Sequence, residues 1–156
     1  VVEINVPGLP PLQIEHLVLD YNGTMAVDGK LLPGLKQRLG RLARKLHLHV
    51  LTADTFGKVH GELRGAHAEL VILGGRNQDL AKAAYVRKIG ARRTACIGNG
   101  RNDRLMLRAA ALGIALVQAE GAAAVALAEA DVVARDARDA LDLFLRPLRL
   151  VATLRN

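Results

Sequence analysis

The sequence has no tryptophan and a single cysteine among its 156 residues, and aromatic side chains make up only 3% of it. A lone cysteine excludes an internal disulfide. Cys96 lies in the apolar run "TACIGNG", where it reads as a small core residue rather than a nucleophile. The shortage of aromatics leaves the core to Leu, Val, Ile and Ala, which suits an α/β protein better than an aromatic-rich β-sandwich. It also removes the stacking platforms that single-stranded nucleic acids require. No apolar run approaches the roughly 20 residues of a membrane helix. The opening "VVEINVPG" alternates and breaks at Pro7-Gly8, unlike a signal peptide. Together these absences predict a cytoplasmic protein with no membrane partner.

What is abundant is positive charge. Twenty-two Lys and Arg stand against fifteen Asp and Glu, for a net charge of +7. Such a balance suits phosphates, nucleic acid or an anionic surface. The charges are dispersed, however. The densest runs, Arg38 through Lys45 and Arg87 through Arg93, read as solvated sides or ends of helices, so the pattern argues against nucleic acid as a partner.

Strand and helix patterns alternate along the chain. "VEINV" alternates like an edge strand, and residues 1–13 form an N-terminal edge segment. Ile14–Asp20 is a short, largely apolar run, as a central parallel strand should be. "MAVDGKLL" carries Asp28-Gly29 between alternating residues, which predicts a small hairpin with a type I′ turn; residues 25–33 form a short flap. Leu35, Leu39, Leu42 and Leu46 share one helical face, with Pro33 suited to the first turn. "HLHVLTAD" is the next strand, with His47 and His49 on one face; a pair of this kind could ligate a metal but is more often at the surface. Asp54 or Thr55 is placed to cap a short helix through Leu63. "AELVILGG" is followed by a helix closed by Gly90. "RTACIGNG" is followed by a helix closed by Gly113. Two further strand–helix pairs come next, and the tail is either a last helix or a cover over the body. No linker or repeat divides residues 1–156. Six or so strands with helices between them predict one domain, an open and mostly parallel sheet covered on both faces in a Rossmann-like three-layer sandwich.

In such sheets ligands bind at the carboxyl ends of the strands. Those ends hold Asp20, Thr52, Gly74-Gly75 and Asn99, with Asn22, Thr24, Asn102 and Asp103 just beyond and Lys82 on the helix after Gly75. A carboxylate closing a buried strand is costly to desolvate unless it is paired. Asp20 and Asp103 together invite a divalent cation, and oxygen ligands of this kind suit Mg²⁺. Thr52, Lys82 and free N–H groups near Gly23 are positioned to hold phosphate oxygens, and Asp20 to attack phosphorus. Taken singly, each residue has a plain alternative: Asp20 and Asn22-Gly23 as turn chemistry, Thr52 as an ordinary strand residue, Lys82 as a solvated lysine with Lys88 in its place, and Asn102 or Asp103 as a cap. Their order and strand-end positions are what single them out.

With those residues the chain resembles the haloacid dehalogenase-like (HAD) superfamily of phosphatases and P-type ATPases. "VLDYNGT" is similar to that family's first motif, hhhDxDGT, and "VLTAD" to the second, a strand ending in Thr or Ser. Lys82 fits the third, and "CIGNGRNDRLML" stands where "AIGDGxND" is usual. The resemblance runs from about Ile14 to Leu145. It is strongest to the small "soluble P-type ATPase-like" group, which reads LNGTxAVDG, LTADTFG and IGNGRND. It implies Mg²⁺-dependent phosphoryl transfer from a phosphorylated substrate through an aspartyl-phosphate. Asp20 would be the nucleophile and a metal ligand. Asn22 would be a ligand through its backbone carbonyl, Thr52 and Lys82 would hold the phosphoryl group, and Asp103, with Asn99 beside it, would bind the metal.

The departures from that pattern define the alternatives. Family phosphatases usually carry a second Asp at the position of Asn22, which protonates the leaving group and later activates water. An amide has no useful pKa for either task. Asp28 and Asp54 are the nearest substitutes, and His16 lies too far back on its strand. Asn99 replaces a further carboxylate and makes the site less negative. Neither the flap nor the segment between Gly75 and the Lys82 helix is long enough for a cap domain, and the inserts of a transport ATPase are absent, which excludes an ion pump for this chain alone. An open site implies a large substrate or a homo-oligomer. A HAD-fold binding or regulatory module with little catalysis is the second reading.

Overall fold

The computed structural model describes residues 1–53 and 57–156. Six parallel strands form the central sheet, in the order β10-β9-β8-β3-β6-β7. They are β3 (His16–Asp20), β6 (His47–Thr52), β7 (Glu69–Ile72), β8 (Thr94–Gly98), β9 (Leu112–Leu116) and β10 (Val132–Ala134). Both faces carry helices, so the inner strands are apolar on both sides, and every residue of β8 and β9 is buried. Burial sets Cys96 in this core and pushes its thiol pKa well up, as expected of a packing residue.

On one face lie α1 (Leu35–Leu42), α6 (Ala137–Leu145) and α7 (Leu148–Leu154). Leu35, Leu39, Leu42 and Leu46 are buried against Leu17, Leu19 and Leu141, as their spacing predicts. Bidentate pairing of Arg38 with Asp142, at 2.9 and 3.2 Å, ties α1 to α6. On the other face α3 (Gln78–Ile89) and α4 (Arg104–Ala109) cover Val18, Leu51 and Cys96 with Val86, Met106 and Leu107. The remaining elements are short: α2 (Lys58–Glu62), α5 (Ala124–Ala128) and the hairpin β4 (Ala26–Val27) and β5 (Lys30–Leu31). Asp28 (φ 51°) and Gly29 (φ 77°) make its turn, matching the type I′ geometry their sequence calls for. The described residues add no cap domain to this three-layer sandwich.

Two local expectations change. "VEINV" does not extend the main sheet. β1 (Val2–Ile4) pairs antiparallel with β2 (Leu12–Ile14), the segment just before β3, in a separate ribbon. Its alternation reflects Val2 and Ile4 entering the core while Glu3 faces out. Gly113 does not close α4; it lies within β9. A Cβ there would stand 2.7 Å from the Leu107 carbonyl oxygen, so glycine lets α4 pack onto the strand. Asp54 and Thr55, considered as helix caps, lie outside the described residues, and the described α2 follows Gly57.

Candidate active site

The chain reverses sharply after β3. Tyr21 accepts from the N–H groups of Met25 and Ala26 at 2.9 and 3.0 Å, and Gly23 donates to the Ala26 carbonyl at 2.8 Å. The tight loop aims Asp20 and Thr24 over the carboxyl edge of the sheet. Gly23 has φ 77°, and a Cβ there would stand 2.6 Å from Asn99 Nδ2, so conformation and space both require glycine. The Gly23 N–H is itself engaged by the Ala26 carbonyl, and glycine here lets the loop close.

Asp20, Lys82 and Asp103 meet at the centre. Lys82 Nζ donates to Asp20 Oδ1 at 2.7 Å and to Asp103 Oδ1 at 2.8 Å. All three are buried, Lys82 with only 2% of its surface exposed. Lys82 reaches this point because α3 packs on the sheet through Lys82, Ala83 and Val86, whereas Lys88, on the same helix, is exposed. Asp103 turns its second oxygen to the N–H groups of Asn99 and Gly100, at 3.0 and 2.8 Å. This oxygen fixes the loop after β8 and is spent. Asp20 Oδ2 is less engaged, with the Thr24 hydroxyl at 3.4 Å. That hydroxyl also lies 3.4 Å from Asn99 Oδ1, and Asn99 Nδ2 is held by the Gly121 carbonyl at 3.0 Å.

The electrostatics follow from this crowding. Burial, then the Asp103 carboxylate, raise the Asp20 pKa to about 7, against the opposing pull of Lys82. Lys82 is pushed up: burial works against its charge, but the two carboxylates outweigh it. With Asp20 ionised, two carboxylates against one ammonium make the centre net negative, and its donors are oxygens. That donor set fits a hard divalent cation such as Mg²⁺.

Above this centre is a cavity of about 200 Å³ lined by Asp20, Asn22, Thr52, Gln78, Lys82 and Asn99, with Gly100 and Asn102 at its side. Thr52 is buried at the end of β6, while Asn22 and Asn102 are exposed. The sequence-predicted residues thus converge, Gly23 serving as backbone only. Asp28 sits in the hairpin turn, away from the cavity lining, and Asp54 lies outside the described residues.

Two residues emerge that the sequence reading passed over. Gln78 is four positions before Lys82, one helical turn away on the same face. Its Nε2 donates to the carbonyls of Leu73 and Gly75 at 2.8 and 2.9 Å. Its Oε1 is the buried side-chain polar atom left without a hydrogen-bond partner among the described residues. The i,i+4 spacing from Lys82 is the signal that would have found it. Gln118 donates to the carbonyls of Gly23 and Thr24 at 2.9 and 2.6 Å and accepts from the Ala137 N–H at 3.1 Å. Gln118, 94 residues from Thr24 in sequence, clamps the Asp20 loop to the start of α6, and no local pattern announces it.

No family model matches the chain. Among solved structures, similarity extends to 3-deoxy-D-manno-octulosonate 8-phosphate phosphatase from Moraxella catarrhalis, solved with magnesium and phosphate ions, at TM-score 0.73 and 16% identity over 89% of this chain and 90% of that one. The cobalt-bound form of the same phosphatase from Haemophilus influenzae aligns at TM-score 0.72 and 16% identity over 90% and 92%. A chain described as a HAD family hydrolase from Streptomyces avermitilis aligns at TM-score 0.64 and 21% identity over 83% and 80%. By sequence, the chain is 48% identical over 60 residues to an uncharacterized protein of Methanocaldococcus jannaschii, a match covering 38% of this chain and 64% of that relative's length. A second, shorter uncharacterized protein of the same organism is 46% identical over 39 residues, 25% of this chain and 89% of its own length. The chain belongs to one family with that shorter protein, and it shares the fold of the solved HAD family hydrolase and of these phosphatases.

Proposed function

We propose that the chain is a Mg²⁺-dependent phosphoryl-transfer hydrolase acting through an aspartyl-phosphate on Asp20. The observation that carries this reading is the buried Asp20–Lys82–Asp103 centre, with contacts of 2.7 and 2.8 Å, at the floor of an open cavity. The phosphatases of like fold, bound to magnesium and phosphate or to cobalt, support it. Mg²⁺ would be held by Asp20, by the Asn22 main-chain carbonyl and by Asp103, directly or through water, with Asn99 beside it. When bound, it supplies charge neutralisation that keeps Asp20 ionised and draws in the phosphate.

The chain's own groups do the rest. Asp20 attacks phosphorus and the leaving oxygen departs with the bond electrons. Lys82 and the Thr52 hydroxyl donate to the phosphoryl oxygens as charge builds on them. The leaving oxygen takes its proton from solvent, because Asn22 has none to give. Without a cap among the described residues, the cavity suits a phosphoryl group carried on a bulky substrate.

The test is hydrolysis of a small aryl phosphate. Mg²⁺-dependent turnover lost in Asp20→Asn supports the reading, as does an acyl-phosphate trapped on Asp20. Absence of both, with Mg²⁺ or a phosphate mimic still bound, selects a binding module instead. Asn22 and Asn99, amides where carboxylates would serve catalysis, favour that second reading.

A further inference from the structure

Four of the chain's five histidines, His16, His47, His49 and His67, line one cavity of about 320 Å³ together with Glu69. It lies at the opposite end of the sheet from Asp20: His16 opens β3 and Asp20 closes it, a separation of about 13 Å at roughly 3.3 Å per residue. Parallel pairing brings the rings together. His16 is level with His47, and His49 with Glu69. The sequence reading left His47 and His49 at the surface. His47 is exposed, but His49 is 6% exposed and packed under Tyr85 of α3.

His16 Nδ1 and His49 Nε2 are 3.0 Å apart. On its other nitrogen, His49 Nδ1 has the Tyr85 hydroxyl at 2.9 Å and Glu69 Oε2 at 3.4 Å. A carboxylate on one imidazole nitrogen orients the ring and leaves the other nitrogen as the lone pair, which is the arrangement behind most metal-ligating histidines. Burial and the neighbouring rings lower the pKa of both His16 and His49, so both are neutral, the ligand form, at neutral pH. Two metal–nitrogen bonds of about 2.0–2.1 Å span this separation at roughly 90–95°. That angle suits tetragonal or octahedral coordination more than tetrahedral, and imidazole donors suit Ni²⁺, Cu²⁺ and Zn²⁺.

We propose that His49 Nε2 and His16 Nδ1, a hydrogen-bonded pair in the free chain, turn to form one edge of a first-row divalent metal site, completed by His47 and water. As placed, no three His, Cys, Asp or Glu side chains among the described residues close on one point. The third ligand is His47, whose ring stacks on His16 at 5.3 Å between centroids and is exposed, so rotation about its side-chain torsions brings it in. In the tautomer whose His49 Nδ1–H faces Glu69 and whose His16 Nδ1–H donates to His49 Nε2, binding moves the His16 proton from Nδ1 to Nε2 and releases no net proton from either neutral ring. The site is independent of the phosphoryl-transfer reading, because it shares no residue with the Asp20 cavity.

The test is calorimetric titration of the untagged chain with NiCl₂ and ZnCl₂ at pH 7.5, with ligand-field spectra of the Ni²⁺ form. With saturating MgCl₂ present to occupy the Asp20 centre, one equivalent should bind, Ni²⁺ more tightly than Zn²⁺. His16→Gln and His47→Gln, both folded by circular dichroism, should each weaken binding at least tenfold, whereas His60→Gln, outside the cavity, should leave it unchanged. Failure to bind either metal, or affinity unchanged in His16→Gln and His47→Gln, overturns the proposal and leaves the cluster as a hydrogen-bonded network. Loss of binding in Asp20→Asn alone also overturns it, by placing the metal at the other end of the sheet.

Discussion

The amide of Asn99 occupies the space that a side chain on Gly23 would need: a Cβ there would lie 2.6 Å from Asn99 Nδ2 and 2.8 Å from Oδ1. Because Gly23 also has φ 77°, Gly23→Ala should carry two separate penalties. The left-handed conformation costs about 1–2 kcal/mol, and displacing Asn99 from the Gly121 carbonyl adds to it. Thermal unfolding should show a drop of more than roughly 2–4 °C. Adding Asn99→Gly removes the clash but not the strain, so the double variant should recover only part of the loss. Additive losses in that cycle would mean the two positions are uncoupled.

Stability should fall as pH rises from about 4 to about 7 in metal-free protein. Asp20 binds its proton more tightly folded than unfolded, with a folded pKa of about 7 against an ordinary value of 3.8. Its contribution is therefore full below the unfolded value and is lost as pH climbs through the folded one. Asp20→Asn should flatten that decline. Mg²⁺ favours ionised Asp20, so MgCl₂ should raise Tm more at pH 8 than at pH 5. A metal-free stability curve equally steep in Asp20→Asn would contradict the assignment.

Gln118 offers a test of the clamp on the Asp20 loop. Gln118→Ala leaves the Gly23 and Thr24 carbonyls and the Ala137 N–H without their partner and should cost about 1–3 kcal/mol. Gln118→Glu should cost more at pH 7, because a carboxylate would face two carbonyl oxygens that now lie 2.9 and 2.6 Å from an N–H donor. Acidification, which gives that Glu an O–H to donate, should narrow the gap. Denaturant unfolding at pH 7 and pH 4.5 compares the two; equal losses at both would show that the amide does not act as a donor there.

How much of this was legible before folding depends on the range of the interaction. Asp20, Thr52 and Asn99 could be placed at one edge because each ends an apolar run, and parallel sheets gather such ends. The Asp28-Gly29 turn was legible because two residues with positive φ leave a local signature. Gln118 was not, since the loop carbonyls it holds lie 94 and 95 residues away. His49 was misplaced because alternation says which face a residue takes but not whether α3, with Tyr85, will cover it. Gly113 was misread as a helix stop because a glycine needed for close packing and one needed for a left-handed cap look alike in sequence.

Asn22 carries the sharpest prediction about chemistry. It lines the cavity beside Asp20 and is exposed, so a carboxylate of nearly the same shape fits there without burial. Asn22→Asp would provide a proton for the leaving oxygen and then a base for the water that attacks the aspartyl-phosphate. General acid–base assistance of this kind is worth about 10²–10⁴-fold. Turnover of an aryl phosphate with a poor leaving group should rise by about 10²-fold, and an activated leaving group should gain less in the first step. The acyl-phosphate level at steady state separates the two roles: it should fall if the new carboxylate speeds hydrolysis and rise if it speeds only transfer. The double variant with Asp20→Asn should stay inactive. If Asn22→Asp changes neither turnover nor acyl-phosphate, the residue at 22 does not face the reacting oxygens, and the proton must come from elsewhere in the cavity.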